Sequence, residues 1–291
     1  MATRPPRRRP PARRGESADR PVRRRRRSDL PGRLLVAVPA VAFAIFIVSQ
    51  GGWVFALGLW ALGCFCLHEL YVLLKADRPV KLAGFLGLTA LIAVALAGGA
   101  DAQFELLLVQ MALVPVLFGL AVAAPRRAPV TISMAVTLFS VWWIGLAFAH
   151  AVMLRDLPHG GGIIVDILVG TFLGDTGAYF GGRMYGRRPL APYISPNKTV
   201  EGLAIGMVTA LGATWFAGLY QDWLPHTSAL LLGVGVALLA PIGDLFESLV
   251  KREASTKDTG RLFGAHGGAL DRLDAVFFTV VAGYYIWVAL G

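Results

Sequence analysis

The chain has 291 residues, of which 56% are hydrophobic and only 16% charged, and its mean hydropathy is +0.61. This composition excludes an ordinary soluble domain and indicates an integral membrane protein with several helical spans. The net charge of +10 does not indicate a nucleic-acid binder, because most of it lies in the Arg- and Pro-rich segment 1–33.

The first 32 residues contain almost no apolar side chains, so we expect them to form a disordered cytoplasmic tail. A basic segment beside a membrane span sets the orientation of the chain and is attracted to anionic lipid. Two interpretations therefore stay open, a plain topology signal and a device that gathers an anionic lipid substrate.

Nine apolar segments that are long enough to cross a bilayer follow this tail. They cover about residues 34–50, 53–74, 82–99, 103–124, 130–154, 161–181, 202–220, 228–249 and 273–290. We predict an all-α polytopic membrane protein with about nine transmembrane helices. If nine helices alternate, 27 of the 28 Lys and Arg residues lie on one side, and only Arg155 lies on the other. The positive-inside rule then places the N-terminus in the cytoplasm and the C-terminus outside.

The first half of the membrane region, 33–160, is mostly plain hydrophobic helix and is expected to serve as a scaffold. Cys64 and Cys66 lie two residues apart in one span and so point to different faces, which favours core packing over a disulfide or a metal pair. The polar pair His68-Glu69 near the cytoplasmic end of this span has two interpretations. It is either an interfacial or helix-packing pair, or it supports an active site from the side.

The second half, 161–291, holds the polar residues that point to chemistry, with cytoplasmic loops expected at 182–201 and 250–272. Asp244, Glu247, Ser248 and Lys251 are spaced to share one helix face at the cytoplasmic mouth of the eighth span. Asp271 and Asp274 are spaced in the same way at the start of the ninth span. Each of two helices thus presents carboxylates at the same depth.

Carboxylates inside a membrane protein are costly unless a cation compensates them. A bound Mg²⁺ is one solution, with Asp244, Asp271 and Asp274 as its candidate ligands. Salt bridges to Lys251, Arg252 and Arg272 are the alternative.

Two Gly-rich, basic loops on the same side are candidate phosphate sites. His266-Gly267-Gly268 would let backbone N–H groups approach a phosphate, or it is a simple turn into the last span. Ser195-Pro196-Asn197-Lys198-Thr199 would offer hydroxyl and ammonium groups to a triphosphate. Ser195 or Thr199 is otherwise a turn and cap residue for the seventh span.

The stretch 248–274 resembles the signature of the phosphatidate cytidylyltransferases, membrane enzymes that make CDP-diacylglycerol from CTP and phosphatidic acid. The matching positions are Ser248, Lys251-Arg252, Lys257-Asp258, Gly260, Phe263-Gly264, His266-Gly267-Gly268, Asp271-Arg272 and Asp274. The segment 195–202, Gly243-Asp244 with Glu247-Ser248, and Asp175 with Ala178-Tyr179 also look like family positions. Ala269 and Val200 depart from the pattern, because the family usually has a larger aliphatic residue and Trp there.

The resemblance is strong over about 165–290 and implies a dimeric, Mg²⁺-dependent enzyme with a cytoplasmic site, and a second cation such as K⁺. It implies that Asp244 and Asp271 bind the metal, with Asp274 close by. Candidate catalytic residues are Asp244, Lys251, His266, Asp271 and Asp274. Candidate residues for binding CTP and phosphate are Ser195, Asn197, Lys198, Thr199, Arg252, Lys257, Asp258, Gly267, Gly268 and Arg272.

The predicted reaction is attack of the phosphatidic acid phosphate on the α-phosphorus of CTP, with pyrophosphate leaving. Arg272 or Arg187-Arg188 is expected to hold the lipid phosphate. His266 is either an acid toward pyrophosphate or a residue that fixes its loop. The expected location is a bacterial inner membrane.

Two other functions remain as alternatives. A CTP-dependent polyprenol or dolichol kinase-like transferase would attack the γ-phosphorus and release CDP. An ion or anion transporter would spread polar residues along a path through several spans, whereas here they cluster at one face.

Overall fold

The computed structural model describes residues 30–123, 129–254, 256 and 268–290. In this part of the chain the structure is almost entirely helical, as predicted. The ten α-helices are α1 Leu30–Gln50, α2 Gly52–Leu73, α3 Lys81–Gly98, α4 Gln103–Ala123, α5 Val130–Ser140, α6 Leu146–Asp156, α7 Gly160–Tyr185, α8 Val200–Gly218, α9 His226–Glu253 and α10 Leu270–Leu290. Short 3₁₀ turns cover Lys75–Asp77 and Gly99–Asp101, and a π-helical turn, Val141–Gly145, joins α5 to α6.

Among the described residues, eight helical segments are long and apolar enough to cross a membrane, and Val38–Gln50 is a shorter apolar helix. One of the eight is the continuous segment Val130–Asp156, which contains α5, the π-helical turn and α6. The chain is therefore an integral membrane protein of the all-α class. The number of crossings and the orientation stay predictions.

The first two helices, α1 and α2, form a tight helical hairpin. Gly51 adopts a φ of +65°, a backbone conformation that glycine adopts without strain, so α1 can end and α2 begin almost at once. Arg155, at the end of α6, donates from Nε to the carbonyl of Val48 at 2.8 Å. The only cation predicted on the far side thus satisfies a backbone carbonyl near the C-terminal end of α1.

An aromatic cluster joins the first half of the membrane region to the second. Trp143, in the π-helical turn, packs edge-on against Phe246 of α9 with ring centroids 4.9 Å apart. Phe277 of α10 packs against both Trp143 and Phe148, at 6.1 and 5.3 Å. These contacts fix α9 against the π-helical turn and α10 against both this turn and α6, so the scaffold half supports the helices that carry the acid pairs.

Small residues bring α7 and α8 close together. A Cβ on Gly206 would lie 2.6 Å from the Cβ of Ala178 and 3.0 Å from the carbonyl oxygen of Gly174. A Cβ on Gly174 would in turn lie 2.8 Å from the Cβ of Ala210. Close backbone approach through small residues is a common way for membrane helices to associate.

The segment between α7 and α8 contains an antiparallel hairpin, β1 Pro189–Ala191 and β2 Ser195–Thr199, which the sequence did not predict. Its strands pair Pro189 with Thr199 and Ala191 with Ser195. Helix α7 extends beyond its predicted end, so the connection is shorter than the loop predicted over 182–201. The connection between α9 and α10 lies mostly outside the described residues.

Candidate active site

Two side chains at the start of α8 hold the β-hairpin and its polar residues in place. Thr199 is the N-cap of α8 and accepts a hydrogen bond from the backbone N–H of Gly202 at 3.1 Å. Glu201, in the first turn, accepts from the backbone N–H groups of Arg187 and Arg188 at 2.9 and 3.1 Å. The cap interpretation of Thr199 is therefore confirmed, and Glu201 holds the start of the hairpin onto the helix.

The hairpin covers one end of a cavity of about 710 Å³ between α7, α8 and α9. Its polar lining includes Asp175, Arg183, Ser195, Asn197, Lys198, Thr199 and Asp244. Its apolar lining includes Leu203, Ala210, Ala237, Ala240, Pro241 and Leu245. The structure thus gathers four predicted binding residues and Asp244 around one space, although the hairpin and α9 are far apart in sequence.

Lys198 and Asp244 form an ion pair across this cavity, between β2 and α9. Both side chains are partly exposed, at 26% and 34%. The pair holds the Lys198 Nζ atom in a buried position. Its importance is positional, since it fixes an ammonium group and a carboxylate at the polar end of the cavity.

A second charged cluster connects α9 to α10. Lys251 forms ion pairs with Glu247, one turn earlier on α9, and with Asp271 Oδ1 at 3.1 Å. The other oxygen of Asp271 accepts from the backbone N–H of Gly268 at 2.7 Å. The shared helix face predicted for Glu247 and Lys251 is confirmed, and for Lys251 the salt bridges that were the alternative to a metal site are present.

Asp274 lies between the two clusters. It is buried, and its Oδ1 accepts from the backbone N–H of Ala275 at 2.8 Å. The charges of Asp175, Asp244 and Asp274 repel one another, so these carboxylates from three helices belong to one electrostatic neighbourhood. Asp175 was noted from the sequence only as a family position, and it was not included among the predicted site residues.

Carboxylate oxygens that repel one another are suitable donors for a hard cation such as Mg²⁺. Among the described residues, however, no three His, Cys, Asp or Glu side chains form a group ready to hold a metal ion. Lysine ammonium groups lie against Asp244 and Asp271 instead. The donor chemistry fits the ion, and the ligand set Asp244, Asp271 and Asp274 stays a prediction.

Arg252 and Arg272 are both exposed near these clusters. Arg252 donates from Nε to the carbonyl of Ile194 at 3.0 Å and so ties the end of α9 to the hairpin. Arg272 lies in the first turn of α10. The predicted residues Lys257, Asp258, His266 and Gly267 lie outside the described residues, whereas Gly268 lies within them.

Glu69 reaches the same region from α2. Its side chain is buried, and Oε2 accepts from the backbone N–H of Leu270 at 2.9 Å. Of the two interpretations of His68-Glu69, support from the side fits Glu69, whereas His68 is exposed. In the sequence, the position of Glu69 within an apolar span is the only indication of this contact.

The Cytidylyltransferase family model matches residues 31–290. A phosphatidate cytidylyltransferase of Bacillus subtilis is 34% identical over 265 residues, which are 89% of this chain and 97% of that protein. The chain belongs to the cytidylyltransferase family. The resemblance seen in 248–274 is confirmed, and the match extends through the first half of the membrane region.

Further relatives match this chain over shorter regions. A phosphatidate cytidylyltransferase of Mycobacterium bovis is 33% identical over 167 residues, 57% of this chain and 55% of that protein. One of Helicobacter pylori is 43% identical over 115 residues, 40% of this chain and 43% of that protein.

Proposed function

We propose that the chain transfers the cytidylyl group of CTP to phosphatidic acid, which gives CDP-diacylglycerol and pyrophosphate for phospholipid synthesis. The observation that carries the proposal is the match to the Bacillus subtilis phosphatidate cytidylyltransferase over 97% of its length. The charged clusters of α9 and α10 support it, because they carry ammonium and carboxylate groups suited to phosphate and to a metal ion.

The cavity between α7, α8 and α9 fits the amphipathic character of phosphatidic acid. Lys198, Asn197 and Ser195 offer donors at its polar end, and Leu203, Ala240 and other apolar residues line the rest. The reacting phosphates of CTP and lipid would therefore meet at the polar end, with the acyl carbons of the lipid against apolar surface, as burial of hydrocarbon favours. Arg272 or Arg187-Arg188 would hold the lipid phosphate at the membrane interface.

The lipid phosphate is already ionised near neutral pH, so the reaction does not require a strong general base. Catalysis then depends on holding the nucleophile near the α-phosphorus and on neutralising charge. Lys198, Lys251, Arg252 and Lys257 are the proposed contacts of the triphosphate and of the leaving pyrophosphate. His266 would act as an acid toward pyrophosphate or would fix its loop.

Asp244, Asp271 and Asp274 would hold Mg²⁺, and the ion would withdraw charge from phosphate oxygens when bound. A second cation such as K⁺ is also proposed. The backbone of Gly267-Gly268 and the side chains of Thr199 and Asp258 complete the proposed binding set. We place the site on the cytoplasmic side of a bacterial inner membrane and propose that the enzyme is a homodimer.

The first experiment is an assay of the purified protein with labelled CTP, phosphatidic acid and Mg²⁺ in liposomes. We expect lipid-dependent release of pyrophosphate and label in an organic-extractable nucleotide lipid. Asp271→Asn should lower the rate by at least about 100-fold, because it removes a charge that the proposed metal and Lys251 both require.

Asp101→Asn is the matched control, because Asp101 is exposed in the turn between α3 and α4. It should retain the wild-type rate. Release of CDP instead of pyrophosphate would favour the kinase-like alternative. No turnover by folded protein with any lipid would reject the proposed function.

A further inference from the structure

We infer that Glu69 of α2 is a positioning residue that fixes the first turn of α10 and, through it, Asp271 and Asp274. This inference rests on the proposed function for its kinetic part only. Glu69 does not belong to the charged clusters described above, and it comes from the half of the membrane region that was expected to be plain scaffold.

The contact gives the first turn of α10 an acceptor from a helix that is distant in sequence. The first N–H groups of a helix have no acceptor within the helix. Leu270, the first residue of α10, donates its N–H to Glu69 Oε2 at 2.9 Å. Glu69 is only 6% exposed and Leu270 is fully buried, so water does not compete for this bond. A carboxylate is also the favoured neighbour for the positive end of a helix dipole.

The carboxylate also explains the glycine at position 268. A Cβ on Gly268 would lie 2.6 Å from both Cδ and Oε1 of Glu69, which is closer than side-chain atoms approach. Glu69 therefore lies flat against the turn that precedes α10. A side chain at position 268 would have to displace the buried carboxylate.

This turn determines where Asp271 points. Asp271 Oδ2 accepts from the N–H of Gly268, and its Oδ1 contacts Lys251 at 3.1 Å. The turn is thus anchored by Glu69 through the N–H of Leu270 and by Asp271 through the N–H of Gly268. If the Glu69 contact is lost, the turn loses one of these two anchors, and Asp271 and Asp274 lose their fixed position relative to α9.

The test compares Glu69→Ala with Glu69→Gln in the full-length protein. Glutamine keeps an oxygen that accepts the Leu270 N–H, whereas alanine does not. We expect Glu69→Ala to lower kcat by about 10- to 100-fold with a smaller change in KM for CTP, because small displacements of reacting groups cost this much. Glu69→Gln should stay within a few-fold of wild type.

Thr137→Val is the matched control. Thr137 accepts the backbone N–H of Val80, just before α3, at 2.8 Å and is fully buried, so it makes the same kind of contact between helices away from the site. Its loss should reduce thermal stability without a comparable loss of kcat. Equal activity of Glu69→Ala and wild type, or equal loss in Glu69→Ala and Glu69→Gln, would overturn the inference.

Hydrogen exchange gives a readout that does not depend on the reaction. Glu69→Ala should speed exchange in the peptide over 268–275, and Thr137→Val should leave this peptide unchanged. Gly268→Ala alone should also speed exchange in this peptide. In a protein that already carries Glu69→Ala, the added Gly268→Ala change should have a much smaller effect, because the carboxylate that clashes with the new methyl group is absent. If the wild-type protein shows no cytidylyl transfer, the proposed function fails, but the exchange measurement still decides whether Glu69 fixes the first turn of α10. Unchanged exchange in Glu69→Ala would reject that role.

Discussion

At the scale of single residues, each of the two lysines of the site forms an ion pair with an acid on a different element of the structure. Lys198 comes from β2 and meets Asp244 of α9, whereas Lys251 comes from α9 and meets Glu247 and Asp271. Removing either lysine therefore removes a candidate phosphate contact and also leaves a carboxylate without its partner. Both effects lower the electrostatic complementarity of the site to an anionic substrate.

The first residue-scale prediction concerns Lys198. Lys198→Met should lower kcat/KM for CTP by about 10- to 100-fold, because it removes an ammonium group at the polar end of the cavity. Lys81→Met is the control, since Lys81 is exposed at the start of α3 and loses the same charge. Steady-state rates with varied CTP measure the effect. A Lys198→Met enzyme as active as Lys81→Met would show that Lys198 does not contact the nucleotide.

The sequence predicts some of these residues and not their partners. Helical spacing alone places Glu247 and Lys251 on one face, because residues three and four apart are neighbours in a helix. The pairing of Lys198 with Asp244 depends on where the hairpin folds over α9, which no local pattern determines. The sequence allows two interpretations of Glu69 for the same reason, since its partner Leu270 lies at the other end of the chain.

At the scale of elements, the contact between α7 and α8 forms one wall of the cavity. Gly174, Gly206 and Ala210 belong both to this contact and to the cavity lining. Larger side chains here would separate the helices or fill the cavity. The small residues therefore serve helix association and also determine the shape of the cavity.

The prediction at this scale compares two glycines of α8. Gly206→Val should destabilise the protein by about 1–3 kcal/mol and reduce activity, because the new side chain overlaps α7. Gly212→Val should have little effect, since a Cβ there meets nothing within 4 Å. Thermal unfolding in detergent and lipid-dependent turnover measure the difference. Equal stability of the two variants would contradict the close packing of α7 on α8.

Hydropathy located the helices well, because a span of about twenty apolar residues has few alternatives in a membrane. It did not reveal the hairpin between α7 and α8. Its strands are only three and five residues long, and both contain a proline, Pro189 and Pro196. Proline argues against a strand in sequence-based prediction. The capping residues Thr199 and Glu201 mark the start of α8 but do not indicate the strands that precede it.

At the scale of the whole molecule, the distribution of charge predicts the orientation. The hairpin and the end of α9 carry Lys and Arg residues, whereas Arg155 is the only Lys or Arg at the other end among the residues that the structure describes. If the orientation is correct, the polar end of the cavity faces the cytoplasm, where CTP is available. The helical architecture agrees with this arrangement but does not by itself set the direction of insertion.

Cysteine labelling tests this orientation. Tyr193 is 96% exposed in the turn of the hairpin, and Asp222 is exposed in the connection between α8 and α9, at the opposite end of α8. In intact cells, a membrane-impermeant maleimide should label Asp222→Cys and not Tyr193→Cys. The wild-type protein, with Cys64 and Cys66, gives the background. Labelling of Tyr193→Cys alone would mean the inverse orientation.

The contact between Glu69 and α10 has a consequence for dividing the chain. Every predicted site residue lies in 161–291, which suggests this half as a minimal catalytic fragment. Such a fragment would lack the acceptor of the Leu270 N–H and the aromatic rings of Trp143 and Phe148 that pack on α10. Although the two halves differ in character along the sequence, they form one indivisible unit, and shortening this enzyme requires that α2 and α6 be kept.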